Sequence, residues 1–394
     1  MICRRFLATM HGLLVQAATI LSFTLPQEAC AMQSLPAEKA EKAEKAEKVE
    51  KVEKVEKAEK AEVGNAQLPF KPDAEDDSIE VKNNAKQWNL SLATLGGKQF
   101  WTDYRWWNGW RVQFNSTLNH WRLLDPNSVR KAWGGQQAMF EELERIKASN
   151  PASSQPTEVV LLLHGLMRSA SSMDPIGKEL RRIDIEREEA SGKIQNQRTV
   201  IPFSYASTRD SIAQHSAALR ELVENLPGQP RISIVGHSMG NIVFRHAIGE
   251  WQRNGDPAGV LPRLNRVVML GPPNQGSAFA AKLSRLGLFA IITGNSGMQL
   301  GPSWETLREG LGTPPCPFAI VAGDISKSRI QNPLLSGPSD GVVTVDEAAL
   351  DGMTEFASVP VLHSFLMSEP SVVRATVAFL SGQVLSDALD IQNR

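Results

Sequence analysis

From Thr157 onward, short apolar runs alternate with stretches whose apolar residues recur at helical spacing. That alternation demands a parallel sheet, because a strand–helix–strand crossover returns the chain in the same direction. Glu158–Leu163 is the clearest strand, since its apolar residues run without interruption, as a strand covered on both faces requires. Further strands are expected at Thr199–Phe203, Arg231–Val235, Arg266–Leu270, Phe318–Ala322 and Phe356–Val361. Between them, Met173–Ala190 carries Ile176, Leu180 and Ile183 on one helical face. Ile212, Leu219, Leu222 and Leu226 mark a second helix, and Met239–Trp251 is apolar enough to be a buried one. A closing helix carries Val372, Val373, Thr376, Phe379 and Leu380. The expected fold class is α/β, a doubly wound and mainly parallel sheet filling residues 151–394.

The chain ahead of this domain is of three kinds. Residues 1–31 have the layout of a secretory signal peptide: Arg4 and Arg5, an apolar stretch from Gly12 to Leu25, then Ala29-Cys30-Ala31. That stretch is shorter than the ~20 residues of a spanning helix, which favours cleavage over an anchor. The chain is therefore expected to be exported, to the periplasm, the cell surface or the medium. Residues 32–84 are a low-complexity spacer and linker, dominated by a Glu-Lys triplet repeat over 37–62. Each Glu has a Lys four positions later, which supports a helix. An apolar residue every third position spirals around that helix and gives it no face to bury. The repeat is also out of step with a coiled-coil heptad.

Residues 85–150 hold seven of the nine tryptophans. Gln99–Trp107, the dipeptide Asn108-Gly109 and Trp110–Asn115 read as a β-hairpin. A strand near His120–Leu124 and a helix over Gln137–Lys147 follow. The tryptophans either stack on sugars or, as the favoured reading, pack across strands to cover one edge of the main sheet. The formal net charge of −1 provides no field that would recruit nucleic acid. Cys3 and Cys30 fall in the leader, so Cys316 stands alone and no intrachain disulfide is expected in the mature chain. Nothing in the sequence sets an oligomeric state.

The chemistry gathers around Gly236-His237-Ser238-Met239-Gly240. This G-x-S-x-G follows the strand ending at Val235 and opens a helix, the context of a nucleophile elbow. His164-Gly165 ends the first strong strand, where a loop can supply a second oxyanion donor. The two donors expected are the backbone N–H groups of Leu166 and Met239. A base should follow the serine, and His363 lies just past the last strand. Asp340 is the preferred acid, in a turn-rich loop; Asp324, at the end of a strand, is the second candidate and could instead make an Asx turn. His164 reads as fixing the loop after the strand and Gly165 as letting it approach closely; both, with Asn274 and Gln275 of the Gly271–Ser277 loop that walls the site, are expected at the substrate, and Ser277 can cap the helix that follows. The segment 282–315 is rich in Leu, Ile, Phe and Gly. It reads as a lid opening to a membrane or lipid surface, or as a core helix with a loop.

His164-Gly165-Leu166, the elbow, Gly271-Pro272-Pro273-Asn274-Gln275-Gly276-Ser277, Ser339-Asp340-Gly341-Val342-Val343 and His363 stand in an order that resembles bacterial lipase-like α/β hydrolases. A more distant similarity is to the GPI inositol-deacylase type. The resemblance covers about Pro156 to Gly382 and leaves the tryptophan-rich segment and the repeat outside it. It implies the α/β-hydrolase fold, cleavage of ester or lipid substrates through an acyl-enzyme, and no metal or organic cofactor. By its motifs Ser238, Asp340 and His363 match the triad. The same triad could serve acyl transfer, or thioester or amide cleavage. An inactive scaffold that binds carbohydrate is the reading from a different class.

Overall fold

The computed structural model describes residues 100–390, apart from 152–154, 193–197, 285–296, 298, 302 and 329–331. The expected leader, the Glu-Lys spacer and Trp88 lie outside the described residues.

Asn108 and Gly109 both have positive φ, 45° and 85°, as a tight hairpin turn requires. They join β1 (Thr102–Trp107) to β2 (Trp110–Asn115), antiparallel, with Trp107 opposite Trp110. β3 (His120–Leu124) pairs with β2. A fourth strand, β4 (Arg130–Gly134), completes the sheet. Its sequence, RKAWG, has too little apolar alternation to announce a strand, and it lies at an edge, where charged residues are common. Helix α1 (Gln136–Ala148) closes one face. Met139 and Leu143 of the helix meet Trp107, Val112 and Leu123 of the sheet in a small core.

Most of the tryptophans are therefore spent on packing. Trp107, Trp110 and Trp121 belong to that small core, and Trp106 packs on the main one. Trp101 lies under the Arg122 guanidinium at 3.7 Å. Among the described tryptophans only Trp133, 53% exposed, presents a large free face. The four strands form a sheet of their own. The first of them bonds to the chain just after Phe203 through Asp103, which is buried. Its backbone N–H donates to the Ser204 carbonyl at 2.9 Å, and its carboxylate accepts the Ser204 N–H at 2.7 Å. Gln113 donates to the other carboxylate oxygen at 2.7 Å, so the buried acid is satisfied on both sides.

The main sheet has six strands: β5 (Glu158–Leu163), β6 (Thr199–Phe203), β7 (Arg231–His237), β8 (Leu264–Leu270), β9 (Phe318–Gly323) and β10 (Glu355–Val359). Their order is β10-β9-β8-β7-β5-β6, parallel throughout. The long helices are α2 (Asp174–Ser191), α3 (Ile212–Glu224), α4 (Met239–Arg253) and α5 (Pro370–Leu380). β5 shows why its sequence reads as an unbroken apolar run. Val159, Leu161 and Leu163 enter the core beneath α3 and α4, while Val160 and Leu162 enter the core beneath α2 and α5. Each such buried side chain contributes about 1.5–3 kcal/mol.

β6 lies on one side of β5 and β7 on the other. The chain thus changes winding direction at β5, and the crevice opens at the carboxyl ends of β5 and β7, where ligands of open α/β sheets bind. His164-Gly165 and His237-Ser238 stand at those ends. Of the lid candidate, the stretch 285–296 lies outside the described residues. Leu300, Trp304 and Leu307 beyond it are buried in the main core, so this portion is core. Among the described residues no helix is long and apolar enough to cross a membrane.

Candidate active site

Ser238 sits where β7 stops and α4 begins, with φ 53° and ψ −124°. A non-glycine residue held there costs of order 1–3 kcal/mol, which the surrounding packing must offset. The motif glycines explain how the turn fits. A Cβ at Gly240 would come within 2.7 Å of the carbonyl oxygens of both Leu163 and His164, so the first turn of α4 crosses β5 only because that side chain is missing. A Cβ at Gly236 would lie 2.1 Å from Asn241 Oδ1. Gly165 answers from the other strand: its Cβ would meet Ser238 Cβ at 3.1 Å and His237 Nδ1 at 2.8 Å. The loop after β5 thereby passes directly over the serine.

Three side chains distant in sequence meet at this point. His363 Nε2 lies 2.9 Å from Ser238 Oγ, and His363 Nδ1 lies 2.6 Å from Asp340 Oδ2. A carboxylate only accepts, so the imidazole proton sits on Nδ1 and the Nε2 lone pair faces the serine hydroxyl. Asp340 is itself fixed. Its Oδ1 accepts the backbone N–H groups of Val342 at 2.9 Å and Val343 at 2.7 Å. Its carbonyl accepts the His363 N–H at 3.0 Å. Asp340 and His363 are both buried. Asp324 does not reach this group; its carboxylate accepts the Ser326 N–H at 2.9 Å, the Asx turn that was its other reading.

The backbone N–H groups of Leu166 and Met239 have no hydrogen-bond partner among the described residues. Met239 opens α4, where the helix dipole adds to the pull on negative charge. The loop that carries Leu166 is tied down on both sides. The Met167 N–H donates to Ser207 Oγ at 3.1 Å, and Arg168 donates to the Ser364 carbonyl at 3.0 Å. The Tyr205 hydroxyl donates to the His164 carbonyl. Tyr205 and Ser207 lie just after β6, next to the Ser204 that Asp103 holds. The tryptophan-rich sheet is therefore bonded to the segment that supports this loop.

Three residues expected at the substrate wall have other duties. His164 is fully buried, stacked on Tyr205 at 4.0 Å, with its Nδ1 2.9 Å from the Gly165 carbonyl. Asn274 accepts from Arg245 at 3.1 Å and donates to the Ala348 carbonyl at 2.9 Å. Gln275 donates to the Ala349 carbonyl at 3.0 Å. These amides pin the loop 271–277 to the segment after Asp340, and their hydrogen bonds are internal. Polar side chains in a glycine- and proline-rich loop satisfy the loop's own backbone and the segment facing it. Gly165 stays at the crevice, and Ser277 Oγ accepts the Ala280 N–H at 3.1 Å, the expected cap.

His237 is a further participant hidden in the variable position of the elbow motif. Its Nε2 donates to the His363 carbonyl at 3.0 Å, and the two rings lie 4.9 Å apart. Burial holds its pKa well below the ordinary histidine value, so it stays neutral beside the His363 ring. His237→Ala should lower kcat by about 10²-fold at nearly constant KM, since an ångström of misplacement costs that much. Steady-state kinetics on a p-nitrophenyl ester would check it; a rise in KM alone would contradict the positioning role.

Buried histidines also set the acid limit of the fold. Burial lowers the pKa of His164 to about 4 and of His215 to about 3. In the unfolded chain each titrates near pH 6.5. Below that pH the unfolded state binds more protons, so stability is complete above about pH 6.5 and is lost as pH falls. Each histidine removes about 2 kcal/mol by about pH 5. Calorimetry should show Tm falling steeply between about pH 6 and pH 5; a flat Tm across that window would contradict the assignment.

Residues 153–271 match the model of a family described as "Putative serine esterase (DUF676)". Over that stretch, which holds the elbow, the chain is similar to serine esterases. A search of curated proteins finds no match. Among solved structures, the mature lipase BlEst2 of Bacillus licheniformis is 17% identical with a TM-score of 0.39, over 57% of this chain and 90% of that one. Phospholipase PlaB of Legionella pneumophila is 18% identical with a TM-score of 0.42, over 60% of this chain and 61% of that one. The lin2722 product of Listeria innocua is 19% identical with a TM-score of 0.39, over 58% of this chain and 94% of that one. The family match takes in β5 through β8, with the Gly165 loop and the elbow. It stops at Gly271, where a Cβ would approach His363 Nδ1 at 3.1 Å and Asp340 Oδ2 at 3.2 Å. Asp340 and His363 lie beyond the matched stretch.

Proposed function

We propose that this hydrolase cleaves carboxylic esters through an acyl-enzyme on Ser238, with His363 as general base and acid and Asp340 as its orienting carboxylate. The observation that carries the reading is the unbroken line Ser238 Oγ, His363 Nε2, His363 Nδ1, Asp340 Oδ2, with contacts of 2.9 and 2.6 Å. Ser238 Oγ attacks the acyl carbon as its proton passes to His363 Nε2. The carbonyl oxygen becomes an anion within reach of the Leu166 and Met239 N–H groups, each such donor being worth about 10²–10³-fold in rate. Collapse expels the alcohol, which takes the proton from Nε2. Water then attacks the acyl-enzyme as its proton passes to Nε2; collapse breaks the bond between Ser238 Oγ and the acyl carbon, returns that proton to Oγ and releases the acid.

The acyl group is apolar. Met167 follows the Leu166 donor and is 47% exposed; Phe365 lies two residues past His363 and is 53% exposed. The Arg168–Ser364 hydrogen bond joins the two loops that carry them. These side chains supply apolar surface on the loops of the reacting group. On a series of p-nitrophenyl esters, kcat/KM should rise about twofold per added CH₂ from acetyl to hexanoyl, roughly half the gain of full burial. Hydrolysis should persist when methanol or hydroxylamine competes for the acyl group. A sharp preference for acetyl would overturn the apolar-acyl reading, and exclusive transfer to the competing nucleophile would reassign the enzyme as an acyltransferase. The basic start, apolar stretch and Ala-Cys-Ala site support export of the chain before it acts.

A further inference from the structure

At the opposite end of the main sheet from Ser238, the starts of β5, β7 and β8 surround a cleft of about 410 Å³. Four arginines line it, Arg187, Arg198, Arg231 and Arg266, against two carboxylates, Glu158 and Asp184. Arg198 and Asp184 are buried and bonded to one another, which leaves three guanidinium groups facing one carboxylate. None of Arg187, Arg231 and Arg266 has a carboxylate partner among the described residues. Three of the four arginines are also held in place. Arg198 is bound by Asp184, Arg231 donates to Asn265 Oδ1, and Arg266 lies over the Phe379 ring at 5.0 Å.

Gathering uncompensated cations in a concavity is unfavourable unless an anion fills it, and low-dielectric walls focus the resulting field. Arginine in place of lysine points to a planar, multiply accepting anion such as phosphate. The excess of two positive charges matches a phosphate monoester, which carries about −1.5 to −2 near neutral pH, better than a single carboxylate. The volume lies in the range of small-molecule sites, about 300–1,000 Å³, and leaves room for an organic group beside the phosphate. We propose that this cleft binds a phosphate monoester of small-molecule size, at a site separate from the esterase centre.

The test uses the full chain and two probes, inorganic phosphate and glycerol 3-phosphate, with acetate and chloride at matched ionic strength. Calorimetric titration should give saturable binding for both phosphate probes below about 10 mM, and a rise in Tm that acetate and chloride do not produce. Arg187→Gln with Arg231→Gln, both at exposed positions, should weaken that binding by roughly tenfold or more and leave p-nitrophenyl ester hydrolysis unchanged. Absence of saturable binding by either probe would overturn the proposal. So would equal Tm shifts from chloride, or undiminished affinity in the double variant. The ester assay is independent of these outcomes, so failure here leaves the Ser238 reading standing.

Discussion

Ser238→Ala will lower kcat on p-nitrophenyl esters by about 10⁴-fold or more, with KM little changed. The size follows from what the hydroxyl does. Without Oγ there is no acyl-enzyme, and His363 loses the atom 2.9 Å from its Nε2. What survives is the contribution of the oxyanion donors and binding, some 10³–10⁴-fold over water. The folded state should persist and could even gain, because Ser238 is held at φ 53° for its function and no described cap or core contact depends on its hydroxyl. Activity measured beside Tm separates the two effects. Full activity in this variant would move the nucleophile elsewhere.

Asp340→Asn should cost about 10⁴-fold in kcat as well, by a different route. The two backbone N–H groups of Val342 and Val343 both point at Oδ1. An asparagine must keep its amide oxygen there, which places the amide nitrogen at the Oδ2 position, facing His363 Nδ1. That nitrogen only donates, so Nδ1 must accept and the ring proton shifts to Nε2. Nε2 then has no lone pair for the serine proton. Asp324→Asn should leave kcat within about twofold, because its carboxylate only closes a local turn. The comparison separates the two acids that chain order alone leaves open. A larger loss at Asp324 than at Asp340 would reverse the assignment.

The sheet was legible because burial on both faces writes itself into sequence. Val159 to Leu163 alternate between two cores, so each position must be apolar. The elbow was legible because its glycines answer specific collisions, Gly240 with Leu163 and His164 above all. β4 was not legible, since an exposed edge strand needs no hydrophobic pattern. Asn274 and Gln275 read as substrate contacts, yet they serve the backbone of their own loop and the segment facing it. Tyr205, Ser207 and Asp103 went unread for another reason. Each acts through a hydrogen bond to an atom at least 40 positions away in the chain, and the Tyr205 and Ser207 bonds fall at the carboxyl end of a strand where only the fold gives them meaning. His237 stood in plain view inside the motif, but its task is defined by the carbonyl of a residue 126 positions later.

The central claim is that the Ser238 hydroxyl becomes covalently bonded to the substrate's acyl group. Brief incubation with a fluorophosphonate, followed by mass spectrometry of the digested protein, reads this directly. The expected result is one stoichiometric adduct on the peptide spanning Gly236 to Gly240, localised to Ser238 and lost in the alanine variant. An enzyme that hydrolyses esters yet stays unlabelled at Ser238, or carries the adduct on another residue, would contradict the account.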